Sequence, residues 1–136
     1  MSVREVLVTL GCPSCKHRLD GPLRMAGSPC PRCGDWLKAF VSPAPSAPGA
    51  WVTGDDVRRV MHTLGVRGID RRRWGHRNHY APGERDAASM RRLVDAGLME
   101  PGAPYYATRF HHATPLAGEL LGFGRTLMRR AFGGGA

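Results

Sequence analysis

No run of 18 apolar residues occurs in this chain of 136 residues, so no membrane-spanning helix is expected. The opening Met1-Ser2-Val3-Arg4-Glu5-Val6 has no apolar core followed by small residues at a cleavage site, so export is not expected either. Acidic residues are scarce, 11 Asp/Glu against 20 Lys/Arg. No Gly-x-Ser-x-Gly elbow and no phosphate-binding glycine loop is found, and no other arrangement of side chains suits acid–base or nucleophilic catalysis. An enzyme is therefore not expected, and neither a small-molecule substrate nor a membrane partner is called for. Cysteine is sparse as well, with four residues in all.

Those four cysteines are placed with care. They form Cys12-Pro13-Ser14-Cys15 and Cys30-Pro31-Arg32-Cys33, and fourteen residues separate the pairs. A Cys-x-x-Cys pair lets two thiolates converge on one tetrahedral metal from a tight turn, and two pairs complete a shell of four sulfurs. A redox reading fits poorly, because thioredoxin-like motifs occur once and in a βαβ context. In a reducing cytoplasm, the compartment expected here, such pairs favour metal over disulfides. The expected cofactor is one structural Zn²⁺ held by Cys12, Cys15, Cys30 and Cys33. With all four positions filled by protein, no site for a reactive water remains. His17 follows Cys15 closely but is not needed as a ligand.

The formal net charge is +9. Residues 1–42 carry +3 and residues 51–136 carry +6, and the intervening stretch has no charge at all. A zinc ion with four thiolates carries about −2, which lowers the first part to about +1. A small basic protein has nucleic acid as its first candidate partner, and the charge argument points to the second part of the chain.

Ser42-Pro43-Ala44-Pro45-Ser46-Ala47-Pro48-Gly49-Ala50 reads as an extended, semi-stiff spacer. The expected organisation is a cysteine module over 1–42, a Pro/Ala linker over 43–50, a mostly helical module over 51–132 and a flexible tail over 133–136. The fold class is small α+β. Val3, Val6, Leu7 and Val8 predict a strand entering the first cysteine pair, and 36–41 a strand leaving the second. A module of about 40 residues is too small for a self-sufficient apolar core, and the metal staples it. Beyond the spacer, Val57, Val60, Met61 and Leu64 make one apolar stripe of a helix capped by Thr53, with Asp55 and Asp56 in its first turn. A second helix is expected from Asp86, as cap, to Ala96, with Gly97 as its stop. Residues 100–104 read as a turn and 105–110 as a strand. Thr114-Pro115 opens a third helix that Gly118, Gly122 and Gly124 weaken toward Phe132.

The arginines Arg67, Arg71, Arg72, Arg73 and Arg77, joined by Arg85, Arg91 and Arg92 around the second helix, are the candidate phosphate contacts. Trp74 and Tyr80 lie among them and are expected to plug the small core. His76, His79, His111 and His112 have no spacing that defines a second metal site.

Residues 3–41 resemble the zinc-ribbon family through Leu10-Gly11-Cys12-Pro13-Ser14-Cys15 and Cys30-Pro31-Arg32-Cys33-Gly34. The resemblance implies two cysteine knuckles on β-hairpins with zinc between them. Residues 77–121 resemble small uncharacterised bacteriophage and prophage proteins, on Arg77-Asn78-His79-Tyr80, Leu93-Val94-Asp95-Ala96-Gly97-Leu98-Met99, Tyr105-Tyr106-Ala107-Thr108 and Thr114-Pro115. Their order of elements resembles part of a winged-helix domain, with residues 100–104 as the wing turn. The two resemblances together imply a non-enzymatic protein binding DNA or a nucleic-acid complex in a bacterial or phage-infected cell. The alternative is a protein-interaction or structural component, such as a factor docking on RNA polymerase or a minor part of a phage particle.

Overall fold

In the computed structural model, residues 6–66, 71–106 and 108–133 are described. The β-branched and leucine-rich stretch Leu7–Gly11 forms β1, which pairs antiparallel with β2 (Arg18–Pro22) on one side and with β3 (Lys38–Val41) on the other. A fourth strand, β4 (Ala50–Val52), pairs antiparallel with β3, giving the order β2-β1-β3-β4. Residues alternate across such a sheet. Leu10, Ala39, Val41 and Val52 are buried on one face, while Arg18, Lys38 and Phe40 lie on the other.

The Pro/Ala segment accounts for β4. It does not run out as an extended spacer but turns back between β3 and β4. The Ser42 hydroxyl donates to the carbonyls of Ala44 (2.6 Å) and Ala47 (2.9 Å), and the Ala47 amide bonds to Ala44 (3.0 Å). These side-chain bonds replace the ladder that the prolines cannot make. Trp51 and Val52 thereby join the sheet whose strands β1, β2 and β3 flank the cysteine pairs.

Helix α1 (Gly54–Thr63) starts at Thr53 as expected. The Thr53 hydroxyl accepts from the Asp56 amide (3.1 Å), and the Asp56 carboxylate accepts from the Thr53 amide (2.9 Å), a reciprocal capping box. Helix α2 (Ala87–Asp95) is preceded by a single 3-10 turn, Glu84–Asp86. Here one expectation fails. Asp86 makes no side-chain cap on α2. Its carboxylate instead accepts from the Gly83 amide (2.9 Å) and the Tyr80 hydroxyl (3.0 Å). Leu98 folds back on the helix end, its amide bonded to Leu93 (2.9 Å).

The turn expected at 100–104 is absent as well. Those residues belong to β5 (Met99–Tyr105), which pairs antiparallel with β6 (Thr108–Ala113), with an irregularity between Pro101 and Pro104. The hairpin reverses after Tyr105. Tyr106 there has φ +51° and is almost fully exposed (93%). Thr114 caps α3 (Pro115–Leu120), with Pro115 in its first turn. The glycine-rich stretch then breaks the helix, and the chain resumes as α4 (Arg125–Phe132). One cluster of buried side chains runs from Leu10, Leu23 and Leu37 through Val57, Leu64, Leu93 and Leu98 to Phe123 and Leu127.

Candidate metal centre

The two cysteine knuckles are built alike. In the first, the Cys12 amide donates to His17 (2.9 Å) and the Lys16 amide to Cys12 (3.1 Å). In the second, the Cys30 amide donates to Asp35 (2.6 Å) and the Gly34 amide to Cys30 (2.9 Å). The fourth residue past each leading cysteine must take a positive φ, +66° at Lys16 and +82° at Gly34. Glycine does so without strain, and Lys16 bears a cost that its ammonium group partly offsets by donating to the Pro13 carbonyl (3.0 Å). A link between the knuckles was not read from the sequence: the Ser14 hydroxyl donates to the Asp35 carboxylate, which also accepts from the Trp36 amide (2.8 Å). That Ser14 bond is the first reason the Asp35 carboxyl is held below its usual range.

The four sulfurs all lie within 4.8 Å of one another. Cys12 and Cys33 are 3.3 Å apart, and Cys15 and Cys30 are 3.7 Å apart. A tetrahedron with metal–sulfur bonds of about 2.3 Å has edges of ~3.8 Å, so the donor set fits one ion of zinc's size. Cys12 and Cys30 are buried, and Cys15 and Cys33 face solvent. The thiols differ in acidity. The Cys15 amide draws the Cys12 thiol down to about 7. The Asp35 amide acts the same way on Cys33, but the hydrogen bond shared with Cys12 and burial outweigh it and push that thiol up to about 12. Metal binding requires all four sulfurs as thiolates, so it is expected to release protons. The Arg32 amide also points at the Cys30 sulfur (3.4 Å), as expected of a knuckle that stabilises thiolate.

No family model, no curated protein and no solved structure matches the chain. The four clustered cysteines fit a zinc-ribbon-like motif on geometry alone. The phage-protein and winged-helix likeness of residues 77–121 finds no support from any relative. Among the described residues the cysteines form the only group of His, Cys, Asp and Glu side chains close enough to share a metal. His112 instead bonds through Nδ1 to the Asn78 carbonyl (2.6 Å), and His111 through Nδ1 to that of Arg109 (3.1 Å).

The structure divides the eight candidate arginines. Arg67 lies outside the described residues. Arg71, Arg72 and Arg73 form an exposed 3-10 turn. Arg85 and Arg91 are exposed around α2, where Arg91 shares a cleft with Glu84, Met90, Val94 and Tyr106. Arg77 is drawn inward, its stem against Gly65 and its Nε buried. Arg92 is committed elsewhere. Its Nε and Nη2 donate to both oxygens of Asp56, at 2.7 and 3.0 Å. Asp56 is fully buried and accepts from the Ser89 hydroxyl too (2.5 Å). Burial alone would raise its carboxyl, but the bonds from Arg92, Ser89 and Thr53 hold it below the usual range.

Sequence reasoning missed the basic residues of α4. The 71–75 turn packs on that helix. Arg71 donates to the Gly122 carbonyl (2.6 Å) and covers the Trp74 ring at 4.9 Å. Arg130 donates to the carbonyls of Arg72 and Trp74, both at 2.7 Å. Trp74 stacks on Phe123 (6.2 Å between centroids), so it does plug the core. Arg125 and Arg129, one helical turn apart, are exposed on the same helix, on the side away from Leu127 and Ala131, which meet the turn at Gly75. No local signal marked Arg130, because only tertiary packing sets it against the turn.

Proposed function

We propose that this chain is a non-enzymatic zinc protein whose metal braces the β1–β4 sheet and whose arginine turn binds nucleic-acid phosphates. The reading is carried by the junction of the 71–73 turn with α4, where the exposed Arg71, Arg72 and Arg73 adjoin Arg130. The guanidinium forks suit bidentate phosphate contact. The four-sulfur donor set supports a closed structural centre, and zinc bound there would hold the two knuckles in register.

The winged-helix reading is weaker at the level of single residues. The order α1, α2, β5–β6 is what it implies, but Arg92 of α2 turns inward and the hairpin tip presents Tyr106, not a cation. Phosphate contact is therefore assigned to the turn and α4, and no base-reading helix is assigned.

The test is binding of the zinc-loaded full chain to a random-sequence duplex across a salt series. Binding is expected at low salt and should weaken linearly in log–log form, at about −0.9 per phosphate contact. Replacing Arg71, Arg72 and Arg73 with Gln should flatten that slope by about 2–3. Absence of duplex binding at low salt would overturn the reading and favour a docking or structural role.

A further inference from the structure

The outer face of the metal-braced sheet carries its own site. In the register of the sheet, Arg18 of β2, Gly11 of β1 and Lys38 of β3 stand directly opposite one another. Side chains in such a row share a face. Phe40, two residues on from Lys38, is on the same face and opposite Trp51 of β4. Their rings meet at 5.4 Å, tilted by 58°. Gly11 leaves a gap in the row, and the Trp51 indole lies across it. A Cβ at Gly11 would fall 2.9 Å from Cη2 of that ring. The Arg18 guanidinium stands 5.1 Å from the indole centroid. Gly11, Cys12, Pro13, Lys16, Arg18, Lys38 and Trp51 line a cleft of about 250 Å³ here. That lies below the range of about 300–1,000 Å³ typical of small-molecule and cofactor pockets.

We propose that this face is a single-stranded nucleic-acid site, in which Trp51, flanked by Phe40, stacks a base and Lys16, Arg18 and Lys38 receive the adjoining phosphates. An indole beside cations is the combination that binds unpaired bases, since every base has a π-face and every link an anion. Duplex DNA keeps its bases stacked inside and cannot offer them to Trp51. The local charge balance defines the energetics. Asp20 shares the face, Asp35 adjoins Lys38, and the metal centre at the cleft edge carries about −2 when loaded. Attraction to phosphate is thereby partly cancelled, so stacking carries most of the affinity. The site goes beyond the phosphate contacts of the arginine turn and does not rest on them.

The experiment uses the zinc-loaded full chain and a short fluorescein-labelled oligothymidylate, followed by anisotropy. Wild-type protein should bind with a shallow salt dependence. Trp51→Phe should retain most of the affinity. Trp51→Val, which keeps strand propensity and apolar cover but lacks a ring, should lose about tenfold. A double variant, Arg18→Gln with Lys38→Gln, changes only the rim and should weaken binding less than Trp51→Val does. The arginine-turn variant should lose duplex affinity while keeping this Trp51-dependent component, so failure of either site shows separately. Equal oligothymidylate affinity for Trp51→Val and wild type, with zinc content unchanged, would overturn the proposal. So would displacement of the strand by inorganic polyphosphate at equal phosphate concentration, which would mark a plain anion site. A mononucleotide binding as tightly as the strand would overturn it too, by making free nucleotide the ligand.

Discussion

Asp56 shows how one buried charge ties two helices. It closes the capping box of α1 and receives Arg92 and Ser89 from α2, while Arg59 bridges to Asp86 (3.2 Å) and Ser89 (3.3 Å). Removing one partner of a buried pair typically costs about 3–5 kcal/mol. Arg92 is 40% exposed and can regain water, so Asp56→Ala should cost nearer to 2–3 kcal/mol, measured by urea unfolding. The pH dependence has a definite sign. The folded-state pKa of Asp56 is lowered, so its contribution is present above the unfolded value of about 3.9 and is lost as pH falls through the folded value. The stability gap between wild type and Asp56→Asn should therefore be constant near neutrality and shrink below about pH 4. A gap unchanged down to pH 2 would show that folding does not shift the Asp56 carboxyl. Sequence showed Asp56 as a first-turn acid, which it is. It could not show Arg92, because the partner sits thirty-six residues away and only helix packing brings it in.

At the scale of elements, Asn78 acts as a missing strand residue. Its Nδ2 donates to the Ala113 carbonyl (3.1 Å), and its Oδ1 accepts from the Ala113 amide (2.7 Å). The neighbouring Tyr80 makes a backbone bridge to His111 at 2.9 and 2.8 Å. Together they pin the 78–80 segment along β6. Asn78→Ala leaves the buried amide and carbonyl of Ala113 without this partner and should cost about 1–3 kcal/mol, read as a lowered thermal midpoint. A loss under 0.5 kcal/mol would place the restraint elsewhere. Helices were more legible than strands. Capping residues and apolar spacing are local signals, and they placed α1, α2 and the start of α3. The β5–β6 hairpin was misplaced because Glu100-Pro101-Gly102-Ala103-Pro104 has turn chemistry, yet it pairs along β6 with an irregularity where the prolines fall. β4 was missed because only the Ser42 bonds make a Pro/Ala stretch reverse.

At the scale of the molecule, the four-cysteine cluster and the helices are joined through one buried core that includes Cys12 and Cys30. β4 leads directly into α1, and Gly97 at the end of α2 packs against Pro43 in the turn that precedes β4. Chelation should therefore loosen both halves, and zinc-loaded protein is expected to melt in one transition that moves to lower temperature without metal. Two resolved transitions, with only the first sensitive to chelator, would contradict that coupling. The cysteine spacing made the donor set legible from sequence because ligand spacing is a local requirement. The Trp51 face was hidden because Arg18, Gly11, Lys38 and Trp51 come from four strands and meet only through register.

A metal bound at Cys12, Cys15, Cys30 and Cys33 requires one ion to four thiolates. Elemental analysis of protein purified under reducing conditions tests it most directly, together with thiol titration before and after denaturation. One zinc per chain is expected, with four thiols that become fully reactive only when the metal is released. Metal-free protein in which residues 7–41 keep the hydrogen-exchange protection of the β1–β3 ladder would contradict it.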